Sequence, residues 1–378
     1  MRRVKVLQLQ HDHNVRMFSA TDLHEQIVKA FPQDKYEFVN AYMGSRPRDN
    51  DRPSLAERSV YFNLPRSALS GLRIRSTIVL WKFLKEERFD VVICHRFRPT
   101  SMILRLAKWV GNPDCISVIH SFSDYRARSR LAFISRNASS HSHFIAVSDA
   151  LREHLIRLNS GFSVKNTSTI TNAIDMAAIA KLQYEKDEAR KKLGVKADAT
   201  LIGAIGRLVT VKGHVYLIQA FARLTERYPN AQLLIIGEGS QRKALEDTAR
   251  ALNIQDKVQL PGEIDGAVRY TKAFDIWTMP SLSEGLGLAL LEGMSAGLPC
   301  IASDIPAMRP LIDGAGGIAC TPGSIEELTE ALDAYLSMTQ EQRKQNGLAA
   351  YDYLIQNHNI DYYQATYRQL VERLINDR

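Results

Sequence analysis

Short apolar runs bounded by turn residues recur along the 378-residue chain: VKVLQL (4–9), YEFVNAY (36–42), DVVICH (90–95), CISVIH (115–120), HFIAVS (143–148), TLIGAIG (200–206), AQLLIIG (231–237), KVQLPG (257–262), AFDIWTMP (273–280) and LPCIAS (298–303). Each has the length of a strand, and segments of helical period at 68–87, 214–228, 240–252 and 286–296 lie between them. Strands alternating with helices predict an α/β protein of parallel, doubly wound sheets. A polar, mixed-charge stretch from Asp175 to Ala199 separates two such series and reads as a linker, which puts a domain boundary near Ile174. The segment 44–58, with two Pro, one Gly and four Arg, has no apolar period and reads as a long mobile loop.

Composition narrows the class. At 378 residues, 45% hydrophobic and 24% charged, the chain is long enough for two cores and lacks the bias of disordered or fibrous sequences. Cys94, Cys115, Cys300 and Cys320 lie far apart without metal-ligand spacing, so they read as reduced core thiols. The start MRRVKVLQLQHDH has no apolar leader, and the longest apolar stretch, Leu286 to Ala302, is broken by Glu292 and three glycines. The expected location is therefore cytoplasmic. Residues 1–185 hold 28 Lys/Arg against 17 Asp/Glu, or +11, whereas the remainder holds 21 against 24, or −3. This asymmetry suits a polyanion or an acidic membrane surface facing the first half, and a solubilising surface explains it as well.

Two clusters carry candidate chemistry. In LIGAIGRLVTVKGHVYLIQAF a strand enters a glycine turn and then a helix starting near Gly213, so Arg207 and Lys212 sit at the carboxyl edge of the sheet. Two cations beside a helix N-terminus suit a diphosphate; an ordinary solvated loop is the alternative. In PSLSEGLGLALLEGMSAGLPCIASD, Glu284 and Glu292 are eight residues apart. On one continuous helix they would lie about 12 Å and about 80° apart, a poor acid–base pair. A helix beginning near Leu288 instead leaves Glu284 in the turn and Glu292 one turn inside, with the N–H groups of Gly287 and Leu288 aimed at an anion. That arrangement suits a sugar nucleotide, and a buried helix with one capping Glu has the same spacing.

GRLVTVKG (206–213), IIGEG (235–239), PSLSEGLG with Glu284-x7-Glu292, and LPCIASD (298–304) together resemble a family 4 retaining glycosyltransferase of the GT-B fold. FIAVSDALREHL (144–155), TNAID (171–175) and the tail 358–373 extend the resemblance over nearly the whole chain. It implies two Rossmann-like domains with an interdomain cleft: an acceptor-binding domain at 1–174, a nucleotide-sugar domain at 175–355, and a helix at 356–378 crossing back to the first. By the same resemblance Arg207 and Lys212 grip the donor diphosphate, Glu292 the ribose and Glu284 the transferred sugar. Gly237, Gly285, Leu286, Gly287 and Leu288 supply donor-binding backbone, and the backbone around Glu263 meets the base. His120 stands where the family places a His beside the donor sugar. The expected reaction is same-face attack by an acceptor hydroxyl on a UDP- or GDP-sugar, with no protein nucleophile and no metal.

The resemblance implies a glycan acceptor, as in lipopolysaccharide-core or other cell-envelope glycan synthesis. The family's glycine pair in the first strand–helix turn is replaced by LQHDHNVRM (9–17), so His11, His13 and Arg16 suggest an acceptor-side specialisation, such as a phosphorylated sugar, or merely a bulky loop. CHRFRPTS (94–101) puts His95 and Arg98 at the same sheet edge as further acceptor candidates, or as loop-solvating residues. The glutamate common after the LPCIASD strand is replaced by Met308-Arg309-Pro310. Arg66, Arg73, Arg75, Lys82 and Lys85 border an apolar stretch containing Leu72, Ile74, Ile78, Val79, Trp81 and Phe83, which reads as a peripheral contact with an anionic inner membrane or as a core-facing helix. A sugar-nucleotide epimerase and a transferase with a soluble acceptor are the alternatives. Nucleic acid is not an expected partner, because the basic half lacks aromatic interleaving.

Overall fold

The computed structural model describes residues 2–12, 22–44, 52–69, 71 and 73–377. The chain divides into two units, residues 1–172 with 360–378, and residues 173–359.

In the first unit, β1 (Val4–Gln10), α1 (Leu23–Lys29), β2 (Tyr36–Tyr42), β3 (Arg58–Tyr61), α2 (Ile74–Glu87), β4 (Val91–His95) and α3 (Phe97–Leu106) follow one another. They are succeeded by β5 (Asp114–Ile119), α4 (Arg128–Asn137), β6 (Ser142–Ala146), α5 (Asp149–Arg157) and β7 (Thr167–Thr169). All seven strands run parallel in the order β3-β2-β1-β4-β5-β6-β7. The central strands are apolar on both faces because helices cover both; β4 is buried at every residue. The C-terminal helix, Ile360–Asn376, buries Tyr363, Tyr367, Leu370, Val371 and Leu374 in this same unit. Gln364 Nε2 donates to Gln26 Oε1 of α1 at 2.7 Å.

The second unit opens with α6 (Met176–Leu182) and α7 (Lys186–Leu193). β8 (Thr200–Ile205), α8 (His214–Ala222), β9 (Ala231–Ile236), α9 (Arg242–Ala251), β10 (Val258–Gly262), β11 (Ile276–Met279) and α10 (Leu288–Ser295) come next. β12 (Cys300–Ser303), α11 (Arg309–Gly314), β13 (Ile318–Cys320), α12 (Ile325–Leu336) and α13 (Gln340–Asn357) complete it. Its sheet is also parallel, in the order β10-β9-β8-β11-β12-β13. One face packs Ile202, Leu233 and Ile235 against Leu217 and Phe221 of α8 and Leu332 and Tyr335 of α12. In both sheets the strand order reverses beside the first strand of the unit, between β1 and β4 and between β8 and β11. Ligands of open α/β sheets bind outside the carboxyl ends of the strands at such a point.

Three strands that the apolar pattern does not predict, β3, β7 and β13, are edge strands of three or four residues, too short and too exposed to leave an apolar run. The 175–199 stretch is not a linker. It folds as α6 and α7, because Asp175 caps the first through a 2.9 Å bond to Ala178 N and Arg190 of the second is buried among backbone carbonyls. Residues 45–51 of the expected mobile loop lie outside the described residues. The rest of that segment is anchored: Leu55 N donates to the buried Glu25 at 2.6 Å, and Arg58 opens β3. All four cysteines are free and buried.

Candidate active site

Three loops meet at the carboxyl end of the second sheet. Residues 206–213 leave β8, 237–241 leave β9, and 280–287 join β11 to α10. Backbone bonds lace them together: Leu208 N to the carbonyl of Glu238 (2.9 Å), Gln241 N to that of Leu208 (2.9 Å), and Leu282 N to that of Val211 (2.8 Å). Glycine permits the approach. A Cβ at Gly213 would overlap the carbonyl of Pro280, and one at Gly237 the carbonyl of Gly206.

Lys212 ends a short 3₁₀ turn, Thr210–Lys212, and its Nζ donates to Glu284 Oε1 at 2.6 Å with both side chains largely buried. α10 begins at Leu288 after Gly287, which takes a φ of 107° and offers no side-chain cap, so the first N–H groups of the helix are left to another acceptor. Glu292 lies one turn inside α10. Burial raises its pKa from 4.5 to about 7, and the charge of Lys212 pulls in the opposite direction. One ammonium is thus felt by both carboxylates. Gly285, Leu286 and Gly287 are buried in this loop, whereas Arg207 and Glu263 are exposed at the ends of β8 and β10. Met308, at the departure from the family pattern, is fully buried and packs its thioether against Gly287.

Sequence reading missed His214, the first residue of α8. Its ring is buried, and burial followed by the Lys212 charge lowers its pKa to about 4, against a hydrogen bond to the Arg207 backbone. The only signal for it was adjacency to Lys212 and Gly213.

The raised Glu292 pKa has a measurable consequence. Below pH 4.5 folded and unfolded chains both hold the proton; between 4.5 and 7 only the folded chain keeps it, so stability falls as pH rises through this window. The loss is at most about 3 kcal/mol and is complete above the folded pKa. Glu292→Gln should therefore gain thermal stability relative to wild type from pH 5 to pH 8, read as the difference between two melting curves. Equal differences at all pH values would refute the assignment.

At the corresponding edge of the first sheet, a buried polar chain leads to His120. Glu25 is fully buried; Asn40 Nδ2 donates to its Oε1 (3.2 Å), and Gln8 Nε2 donates to Asn40 Oδ1 (2.9 Å) and to the carbonyl of His24 (3.2 Å). Gln8 Oε1 then accepts from His95 Nε2 (3.1 Å), and His95 Nδ1 accepts from His120 Nε2 (3.1 Å). The donor order assigns the tautomers: each imidazole carries its proton on Nε2, and His120 keeps a lone pair on Nδ1. Burial, with charge from His24 and Arg96, lowers the His120 pKa to about 3 and that of His95 well below its ordinary value. Both rings are neutral at pH 7.

His24, His95 and His120 each bring a nitrogen within 4.8 Å of the others, the spacing of a metal centre. Both nitrogens of His95 are already engaged, by His120 and Gln8, and His24 meets the His95 ring edge-on with centroids 4.2 Å apart. His95, expected to meet the acceptor, supports His120 through Nδ1 and also lines the cavity at this sheet edge. His11 does reach Arg98, through Nε2 and Nη1, while its Nδ1 faces Asp12 Oδ2 at 2.6 Å. His13 and Arg16 lie outside the described residues.

A model described as glycosyl transferases group 1 matches residues 185–352, and one described as Glycosyltransferase Family 4 matches residues 25–178. The chain is 28% identical over 221 residues to a putative glycosyltransferase, EpsF, of Bacillus subtilis, covering 57% of this chain and 58% of that one. It is 28% identical over 249 residues to the UDP-Gal:alpha-D-GlcNAc-diphosphoundecaprenol alpha-1,3-galactosyltransferase of Escherichia coli, covering 63% of this chain and 64% of that one. The match thus spans about six tenths of each relative's length. Anabaena HepE in complex with UDP-glucose superimposes with a TM-score of 0.76 at 19% identity, covering 100% of both chains. With a glycosyltransferase family model on each half and a doubly wound parallel sheet beneath each, the chain belongs to the glycosyltransferases of GT-B fold.

Proposed function

We propose that the protein transfers a sugar from a nucleotide-sugar donor to a glycan acceptor of the cell envelope, with retention of configuration. The observation that carries this is the Lys212–Glu284 pair beside the uncapped start of α10, with Glu292 one turn inside. Lys212, Arg207 and the N–H groups at Gly287 and Leu288 neutralise the donor diphosphate, Glu292 accepts from ribose hydroxyls, and Glu284 from the sugar. Backbone at Gly237 and around Glu263 holds the nucleoside. HepE bound to UDP-glucose and the E. coli relative named for UDP-Gal favour a UDP-sugar.

The first unit carries the acceptor, through His11 and Arg98, and His120, whose Nδ1 lone pair accepts from a sugar hydroxyl. In the reaction the bond from the anomeric carbon to the diphosphate breaks with its electrons on the phosphate oxygen. The acceptor oxygen bonds to the same face of that carbon, and its proton passes to the departing diphosphate. Arg207, Lys212 and the α10 N-terminus stabilise the developing charge, which is the larger part of such catalysis. No metal is required, and activity should survive EDTA.

No helix among the described residues is long and apolar enough to cross a membrane. In α2, Leu80 and Leu84 face the core while Ile74 and Ile78 stay exposed beside Lys82 and Lys85. These residues support peripheral contact with an anionic membrane from the cytoplasmic side.

The test is a panel of UDP-, GDP- and ADP-sugars, with and without lipopolysaccharide-core acceptors, scored by free nucleotide and by the anomeric configuration of the product. One donor should be consumed with acceptor and give a retained linkage. Conversion of the donor to an isomer without acceptor would replace the transferase reading with an epimerase.

A further inference from the structure

The first unit holds a cavity of about 780 Å³ whose wall includes Arg73, Arg96, Arg98 and Arg130, with Asp12 and Asp124 as its acidic groups. The Asp124 carboxylate feels the charges of Arg96 and Arg130, but the hydrogen bonds of Arg73, Arg130 and Arg98 go to neutral groups. Arg73 Nη1 donates to Ser101 Oγ (3.1 Å), Arg130 Nη1 to the carbonyl of Asp124 (2.7 Å), and Arg98 Nη1 to the His11 ring. Arg73 Nε is buried without a partner. Desolvation, then the charges of Arg105, Arg98 and Arg130, lowers the Arg73 pKa.

The backbone is strained at the same place. Arg73 adopts φ 57° and Arg96 φ 69°, left-handed values that a branched or long side chain takes up only when its surroundings impose them. Both line the same cavity wall, Arg73 half-buried and Arg96 exposed. Arg73 therefore does more than border a membrane-facing helix, the role that the sequence pattern suggests for it.

We propose that this cavity binds a phosphoryl or diphosphoryl group borne by the acceptor, gripped by Arg73, Arg98 and Arg130. Guanidinium forks match phosphate oxygens in pairs, three of them converge here, and the volume accommodates a phosphorylated sugar with room for a second ring. Asp124 and Asp12 are then acceptors for sugar hydroxyls, and repel a second anion. The inference rests on the transferase reading, in which the first unit takes the acceptor. The phosphate comes either from a soluble sugar phosphate or from a lipid-linked sugar diphosphate.

Inorganic pyrophosphate is the probe, titrated calorimetrically into the full chain, with UDP titrated separately. Lys212→Ala should keep the first-unit site and lose donor-side binding. Arg73→Gln/Arg130→Gln should weaken the first-unit site at least tenfold and leave UDP affinity within twofold. Arg98→Gln, at an exposed position, gives the same direction if the double variant does not fold. Displacement of pyrophosphate by a sugar 1-phosphate assigns a soluble source, and displacement only by a micellar polyprenyl diphosphate assigns a lipid source; both support the site. Pyrophosphate binding that ignores the arginine substitutions and vanishes in Lys212→Ala overturns it. Donor consumption with indifferent arginine variants defeats the anion site alone. Arginine-dependent pyrophosphate binding with no donor bound or consumed defeats the transferase reading alone.

Discussion

Lys212→Ala is expected to lower the rate of donor turnover by about 10²–10³-fold, the usual loss when one preorganised stabiliser of a developing anion is removed. The ammonium is held 2.6 Å from Glu284 and acts on Glu292 as well, so its loss does more than delete a cation. Two carboxylates would then face an incoming diphosphate with only exposed Arg207 and the α10 N-terminus to oppose them. Arg207→Ala should cost about tenfold, since a solvated guanidinium is screened and replaceable. Lys212→Arg should rescue poorly, because a planar fork does not occupy the space of a point charge between two carboxylates. Steady-state kinetics with the consumed donor, alongside melting temperatures within a few degrees of wild type, checks all three. Turnover within threefold of wild type in Lys212→Ala would mean that the diphosphate binds elsewhere.

How far the sequence foretells this site depends on where each residue's information lies. Lys212, Glu284 and Glu292 are legible because strand–turn–helix punctuation puts them at a sheet edge: α8 and α10 begin one residue after Gly213 and Gly287, where the pattern predicts. The ten apolar runs correspond to the strands of both sheets except the three short edge strands. His95 and Arg73 are named by the sequence, but their surroundings are not. A buried histidine bonded at both nitrogens and a substrate-facing histidine look alike in a sequence, and only the chain from Glu25 through Asn40 and Gln8 distinguishes them. Arg73 borders an amphipathic helix, but its positive φ turns it onto a cavity wall, which no periodicity reports. The 175–199 stretch misleads because local polarity imitates a linker, while its structural role is carried by long-range contacts from Gln183, Lys186 and Arg190 to 271–295.

The most buried of these contacts makes Arg190→Ala the most destabilising substitution expected here. The Arg190 guanidinium, 5% exposed, bonds Asp275 Oδ2 at 2.6 Å and the carbonyls of Ala273, Ala197 and Ala199 at 2.9, 2.7 and 3.0 Å. Asp275 in turn accepts from Leu201 N at 2.7 Å. Truncation removes the buried one of the two cations that pair with Asp275, leaving it Lys186 and Leu201 N, and strips three carbonyls of this donor, a loss of about 3–5 kcal/mol. For a unit of this size that lowers the melting temperature by roughly 6–20 °C. Lys186, paired with the same carboxylate at 2.6 Å but 36% exposed, should cost less than about 1 kcal/mol on truncation. Calorimetry of the two variants separates these cases, and equal shifts would refute the argument from burial. Arg190 ties the entrances of β8 and β11, the strands whose exits carry Arg207 and the Glu284 loop. Its loss should therefore leave turnover near wild type well below the new melting temperature and abolish it above, which distinguishes a residue that holds the scaffold from one that meets the donor.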